Sequence, residues 1–203
     1  ADAIEADGVV RRYEASVWSD RDGSRGVGGS STAPFGATTD DYPATFPDNG
    51  QYSVPAYAIS RSGVTPSRYI TWFQASEACA ASGKRLPHND EWLRAARGTV
   101  DPGVNDGTGN SRCNTLGTAL RNTGGGVSCV SAAGAQDMIG TLGEPIAEWQ
   151  LVPGSMGLGS GQWGTEYNND DTYYVVSGAN ANGGFVTGLP AVHANGGNYR
   201  LGT

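Results

Sequence analysis

What this chain has little of narrows its function before any motif is read. Its 203 residues include two histidines, three cysteines and two methionines. Thirteen lysines and arginines face 20 aspartates and glutamates, a formal charge of −7. No basic run supplies the phosphate-neutralising footprint that nucleic-acid binding needs, which argues against a nucleic-acid partner. No apolar stretch approaches the length of a bilayer span, and no membrane-crossing helix is expected. A G-x-S-x-G elbow is missing, and a serine among many in glycine-rich loops carries no chemistry by itself. No loop follows EF-hand spacing. Asp48-Asn49, Asn105-Asp106 and the run from Asn168 to Asp171 hold oxygens that could ligate a structural Ca²⁺, but Asn and Asp in loops ordinarily make turns. No cofactor is expected.

What is present is glycine. With 32 glycines, 10 prolines and 37% hydrophobic residues, the chain is too glycine-rich for a helical bundle and too apolar for disorder. Its length suits one domain, 1–203, with a core over about 9–151 and a displayed region over about 155–203. Cys113 and Cys129 flank a Gly/Asn/Thr-rich excursion, where a disulfide is favoured over free thiols. That bridge would imply an oxidising compartment. Cys79 sits on an apolar helix face and reads as a buried, inert thiol. The start Ala1-Asp2-Ala3 fits a mature end left by signal cleavage, and equally a trimmed chain.

Helical signals agree with one another only between Ile70 and Gly98. Thr71 is a good N-cap, Trp72, Ala75, Ala78, Cys79 and Ser82 share one face, and Gly83 stops the run. Leu86-Pro87 then breaks the chain. A second helix opens at His88 to Asp90, with Asp90 and Glu91 at the positive end of its dipole, Arg94 and Arg97 near the other end, and Gly98 as its stop. Trp92, Leu93, Ala95 and Ala96 give it an apolar side. Strands are expected over Gly8–Ser19, Ala56–Ser60, Glu144–Leu151 and Thr172–Ser177, making the class α+β. Between Thr99 and Gly134 runs a long loop, and structureless loops of that length are uncommon unless functional or pinned.

These residues carry a resemblance. Thr71-Trp72-Phe73-Gln74-Ala75, Gly83-Lys84-Arg85-Leu86-Pro87, Glu91-Trp92 and Ala95-Ala96-Arg97-Gly98 resemble the first signature of formylglycine-generating-enzyme-like domains, a branch of the C-type lectin fold. Asp137-Met138-Ile139-Gly140 followed by Glu148-Trp149 resembles the second, and Tyr13-Glu14-Ala15-Ser16 the opening strand. The resemblance implies that fold, with two helices packed on short strands and extensive ordered loops. It does not imply the founding activity, which needs a late cysteine pair, because no cysteine follows Cys129. An iron branch needs two histidines and a carboxylate. His88 occupies a helix-opening position and reads as a capping substitute. His193 lies in a glycine-rich segment without helix or strand spacing to a second ligand, so no metal site is expected. The sugar-binding triplets of calcium-dependent lectins are absent, Glu144-Pro145-Ile146 only beginning like one.

From Ser155 onward the chain is rich in Tyr, Asn and Gly with occasional Trp and Arg, a composition suited to paratopes because tyrosine gives amphipathic contact at low entropy cost. Leu189-Pro190-Ala191 and Gly196-Gly197-Asn198-Tyr199-Arg200-Leu201-Gly202-Thr203 resemble the diversified segment of variable proteins of diversity-generating retroelements. On that register Asn195 replaces the usual arginine. The expected function is therefore non-catalytic binding of a protein or glycan ligand at an extracellular, cell or virion surface. Its contact residues would be Trp163, Tyr174, Asn180, Asn182, Asn198, Tyr199, Arg200 and Leu201. A metal-dependent oxidoreductase and a structural or adhesive subunit are the alternatives.

Overall fold

In chain order the elements are β1 (Ile4–Glu5), β2 (Ala15–Trp18), a 3-10 turn (Val27–Gly29), β3 (Tyr57–Ser60), α1 (Trp72–Ala81), β4 (Lys84–Arg85), α2 (Asn89–Ala96), β5 (Glu144–Leu151), β6 (Thr172–Val175) and β7 (Pro190–Asn195). They are seen in a computed structural model that describes residues 4–5, 12–29, 32–100, 113–115, 119–151, 172–175 and 190–195. The class is α+β: two helices with small antiparallel sheets, β1 with β4, β2 with β3, and β5-β7-β6 with β7 in the middle.

Local chemistry sets α1. The N–H of Gln74 donates to Thr71 Oγ1 at 3.2 Å and the N–H of Thr71 donates to Gln74 Oε1 at 3.0 Å, a reciprocal capping box. Gly83 (φ 70) ends the helix in the left-handed conformation that glycine adopts without penalty. Gln74 is buried with Ala75, Ala78 and Cys79, its Nε2 donating to Phe46 O at 3.0 Å. The alanines let α1 lie close on β2 and β3, in one core with Val17, Phe35, Phe46, Ala58 and Leu86. Burial pushes the Cys79 thiol pKa up to about 11.

The apolar side of α2 is narrower than the sequence suggests. Trp92 and Ala95 are buried, whereas Leu93 is 49% exposed. Positions 95 and 96 follow Trp92 by three and four residues and share its face, and Leu93 points about 100° away from Trp92. The second core gathers Trp92, Ala95, Ala135, Met138 and Ile146.

Among the described residues of the expected Gly8–Ser19 strand, only Ala15–Trp18 forms a strand. All four are buried, and so is Glu14. Ala15 and Val17 face the α1 core, while Trp18 donates to Ser16 Oγ at 2.7 Å beneath the Arg61 guanidinium, 5.8 Å above its ring. A strand covered on both sides shows no apolar–polar alternation to read.

Cys113 and Cys129 form a disulfide, with Cα atoms 4.8 Å apart. The described part of the long loop is also zipped to the turn after β3, where Thr123 donates to Val64 O and accepts from the N–H of Gly63, both at 2.8 Å.

Candidate functional site

Three strands bring the tail to the scaffold. In the β6–β7 ladder Thr172 is opposite Asn195, Tyr173 opposite Ala194, Tyr174 opposite His193 and Val175 opposite Val192. Directly paired positions share a sheet face, so 172, 174, 193 and 195 fall on one side. Tyr174, one of the expected contact positions, is thus at the middle of β6. Trp163, Asn180, Asn182, Asn198, Tyr199, Arg200 and Leu201 lie outside the described residues.

His193 needs a correction. It lies in a glycine-rich segment for which no strand is expected, yet it occupies the central strand. The signal was present in Val192-His193-Ala194-Asn195, where apolar and polar residues alternate with the period of a strand. Thr172, His193 and Asn195 join Tyr174 through pairing between distant segments.

On its other side β7 pairs with β5. Pro145 is opposite Ala194 and Trp149 opposite Val192, so Ile146, Ala147 and Glu148 bulge out of the ladder across from His193. The bulge frees polar groups of β5 to bond with the helical scaffold. Trp72 Nε1 donates to Ile146 O at 2.8 Å and the N–H of Ala147 donates to Pro87 O at 2.8 Å. Just before the bulge, the fully buried Glu144 accepts from Trp92 Nε1.

Glu148 completes the junction. Its carboxylate accepts from the N–H of Asn89 at 3.0 and 3.1 Å, and its Oε1 lies 3.0 Å from His88 Nδ1. A carboxylate from another element thus meets the positive end of the α2 dipole. His88 does stand at the N-cap, as the sequence suggests, but its ring engages the strand bearing Glu148. The remaining turn is closed by Glu91, which accepts from the N–H of His88 at 2.8 Å and from Nη1 and Nη2 of Arg85, both at 2.7 Å. The Arg85 fork holds the Glu91 carboxyl down at about 2.

The sheet is therefore hydrogen-bonded to α1, to α2 and to the segment between them, through main-chain atoms and side chains of β5. Among the described residues no group of three or more His, Cys, Asp or Glu side chains could hold a metal ion, and no helix is long and apolar enough to cross a membrane. Of the possible calcium oxygens, Asn49 Oδ1 accepts from the N–H of Gln51 at 3.0 Å and makes a turn; 105–106 and 168–171 lie outside the described residues. No protein-family model, curated protein or solved structure matches the chain.

Proposed function

We propose that the chain is a non-catalytic binding protein: a variable protein of a diversity-generating retroelement, with a C-type lectin fold of the formylglycine-generating-enzyme type. Its tail recognises a protein or glycan ligand at an extracellular, cell or virion surface. One observation carries the reading. The tail strands β6 and β7 join the scaffold through β5, and β5 is held by Trp72, Pro87, Asn89 and Trp92, all outside the tail. Substitutions in the tail leave those bonds in place, which a diversified face requires. The disulfide supports an oxidising environment.

The test has a genetic and a physical arm. The gene is expected beside a reverse transcriptase and a template copy of the codons for the final segment that differs at adenines; without both, the retroelement assignment falls. Combined replacement of Tyr174, Asn198, Tyr199 and Arg200 by serine is expected to shift Tm by less than about 3 °C, the scale of about 1 kcal/mol in a chain this long, and to change the spots bound on a glycan array or a displayed-protein library. Collapse of Tm would overturn the separation of scaffold from face.

The metal-dependent oxidoreductase has one observation in its favour: His88 is bonded to Glu148, and the bulge that carries Glu148 lies opposite His193. Against it, Glu148 is already committed to the N–H of Asn89. Stoichiometric iron or copper in purified protein, lost in both His88→Ala and His193→Ala, would favour this second reading.

A further inference from the structure

Two exposed arginines share the outer side of the β2–β3 pair. Trp18 is directly opposite Tyr57 in that ladder, so the two rings are neighbours on one face. Ala15, Val17 and Ala58, which pack into the α1 core, alternate with them and face the other way. The Arg61 guanidinium lies 5.8 Å from the Trp18 ring centroid, and that of Arg21 lies 5.2 Å from the Tyr57 centroid. The loop after β2 fastens the group. Arg61 Nη1 donates to Gly23 O at 2.6 Å, and a Cβ on Gly23 would sit 3.3 Å from Ile59 Cγ2. Ser19 closes that loop, its N–H and its Oγ both donating to Arg25 O at 2.9 Å.

The chain holds 20 aspartates and glutamates, yet among the described residues neither arginine has an acidic partner. The nearby acids serve the loop itself. Asp20 accepts from the N–H groups of Ser24 and Arg25 at 3.0 and 3.2 Å and from Ser24 Oγ at 2.7 Å, and Asp22 Oδ1 accepts from the N–H of Ser24 at 3.0 Å. Glu14, just before β2, is fully buried. The loop carrying Arg121 adjoins, since Asn122 Nδ2 donates to Gly63 O at 3.2 Å. Over 19–25, 57–65 and 121–124, Arg21, Arg25, Arg61 and Arg121 thus stand against Asp20 and Asp22. With Nη1 on Gly23 O, Arg61 keeps Nε and Nη2, an edge that meets a planar carboxylate through two parallel bonds. Seating on the rings positions both guanidiniums before a ligand arrives, which lowers the entropy cost of binding. We propose that Arg21 and Arg61, backed by Tyr57 and Trp18, form a second binding site, which takes a partner-protein segment with two neighbouring aspartate or glutamate side chains, one to each guanidinium. This site stands independently of the tail and leaves it free for its own ligand.

The test titrates the full chain with two synthetic dodecapeptides, identical except that one carries glutamates where the other carries glutamines, and with a sulfated disaccharide. The glutamate peptide is expected to bind at least about tenfold more tightly than either other probe, with hydrogen-exchange protection at 18–25 and 57–61. Arg21→Gln is expected to weaken its binding about tenfold at an unchanged Tm. Arg61→Lys keeps the charge and loses the two-pronged edge, and is expected to weaken it several-fold. Arg94→Gln makes the same charge change on α2 and is expected to leave binding as it was. Added salt is expected to weaken the glutamate peptide alone. Equal binding of the two peptides, no binding of either, tighter binding of the disaccharide, or a loss in Arg94→Gln equal to that in Arg21→Gln overturns the proposal. So does self-association of the wild type that Arg21→Gln abolishes, since a second copy is then the occupant.

Discussion

The indole N–H of Trp72 donates to the carbonyl of Ile146 at 2.8 Å, joining residues 74 apart in sequence. It ties the first turn of α1 to the bulge of β5, the strand on which the tail sheet is built. Trp72→Phe keeps a ring and removes this donor from a carbonyl whose residue is fully buried. Unfolding free energy is expected to fall by about 1–3 kcal/mol, the cost of an unmade buried hydrogen bond. A lower urea midpoint at unchanged slope checks it.

Cys113 and Cys129 are separated by 16 residues. Closing a loop of that size stabilises by about 3 kcal/mol in the chain-entropy model. The Cys113→Ala/Cys129→Ala double variant is expected to lose stability of that order, read by denaturant titration, with a matching drop in Tm when the wild type is reduced.

Burial raises the Cys79 thiol from 9.0 to about 11. Because the folded pKa lies above the unfolded one, this contribution to stability is fully present below pH 9 and is lost as pH rises through 11. The stability advantage of wild type over Cys79→Ala is expected to shrink over that window. A thiol reagent at pH 8 is expected to label Cys79 only after unfolding.

The opposite sign applies to Glu91, whose carboxyl Arg85 lowers from 4.5 to about 2. The stability from this ion pair is present above about pH 4.5 and lost as pH falls through 2. With both side chains partly exposed, Glu91→Gln is expected to cost about 1 kcal/mol or less at neutral pH. Acid titrations of the two proteins should converge below pH 2.

Thr141 has φ 56, is 1% exposed, and its Oγ1 has no hydrogen-bond partner among the described residues. A β-branched residue in the left-handed region is strained by about 1–2 kcal/mol. Thr141→Gly is expected to raise stability by about 1 kcal/mol, or Tm by about 2–4 °C. Thr141→Ala keeps the backbone strain and is expected to gain less.

The functional reading had uneven support in local pattern. Tyr174 could be placed on a strand from its β-branched and aromatic neighbours, but the facing position of His193 could not, since pairing joins segments with an unpatterned stretch between them. Leu93 looked like core because the run Trp92-Leu93 is apolar, and its angle about the helix axis excluded it. His88 was legible as a helix opener. Its engagement with Glu148, 60 residues away, was not.

The sequence alone determined both helices, their caps and stops and the α+β class, and it favoured the cysteine pair that forms the disulfide. The helices depend on residues three or four apart acting through backbone bonds of fixed period. Tertiary structure decided that β7 lies between β5 and β6, that β5 bulges at Ile146–Glu148, and that Glu148 meets the α2 N-terminus. Those outcomes depend on which distant backbone groups find partners once the chain is compact, and no local spacing encodes that choice.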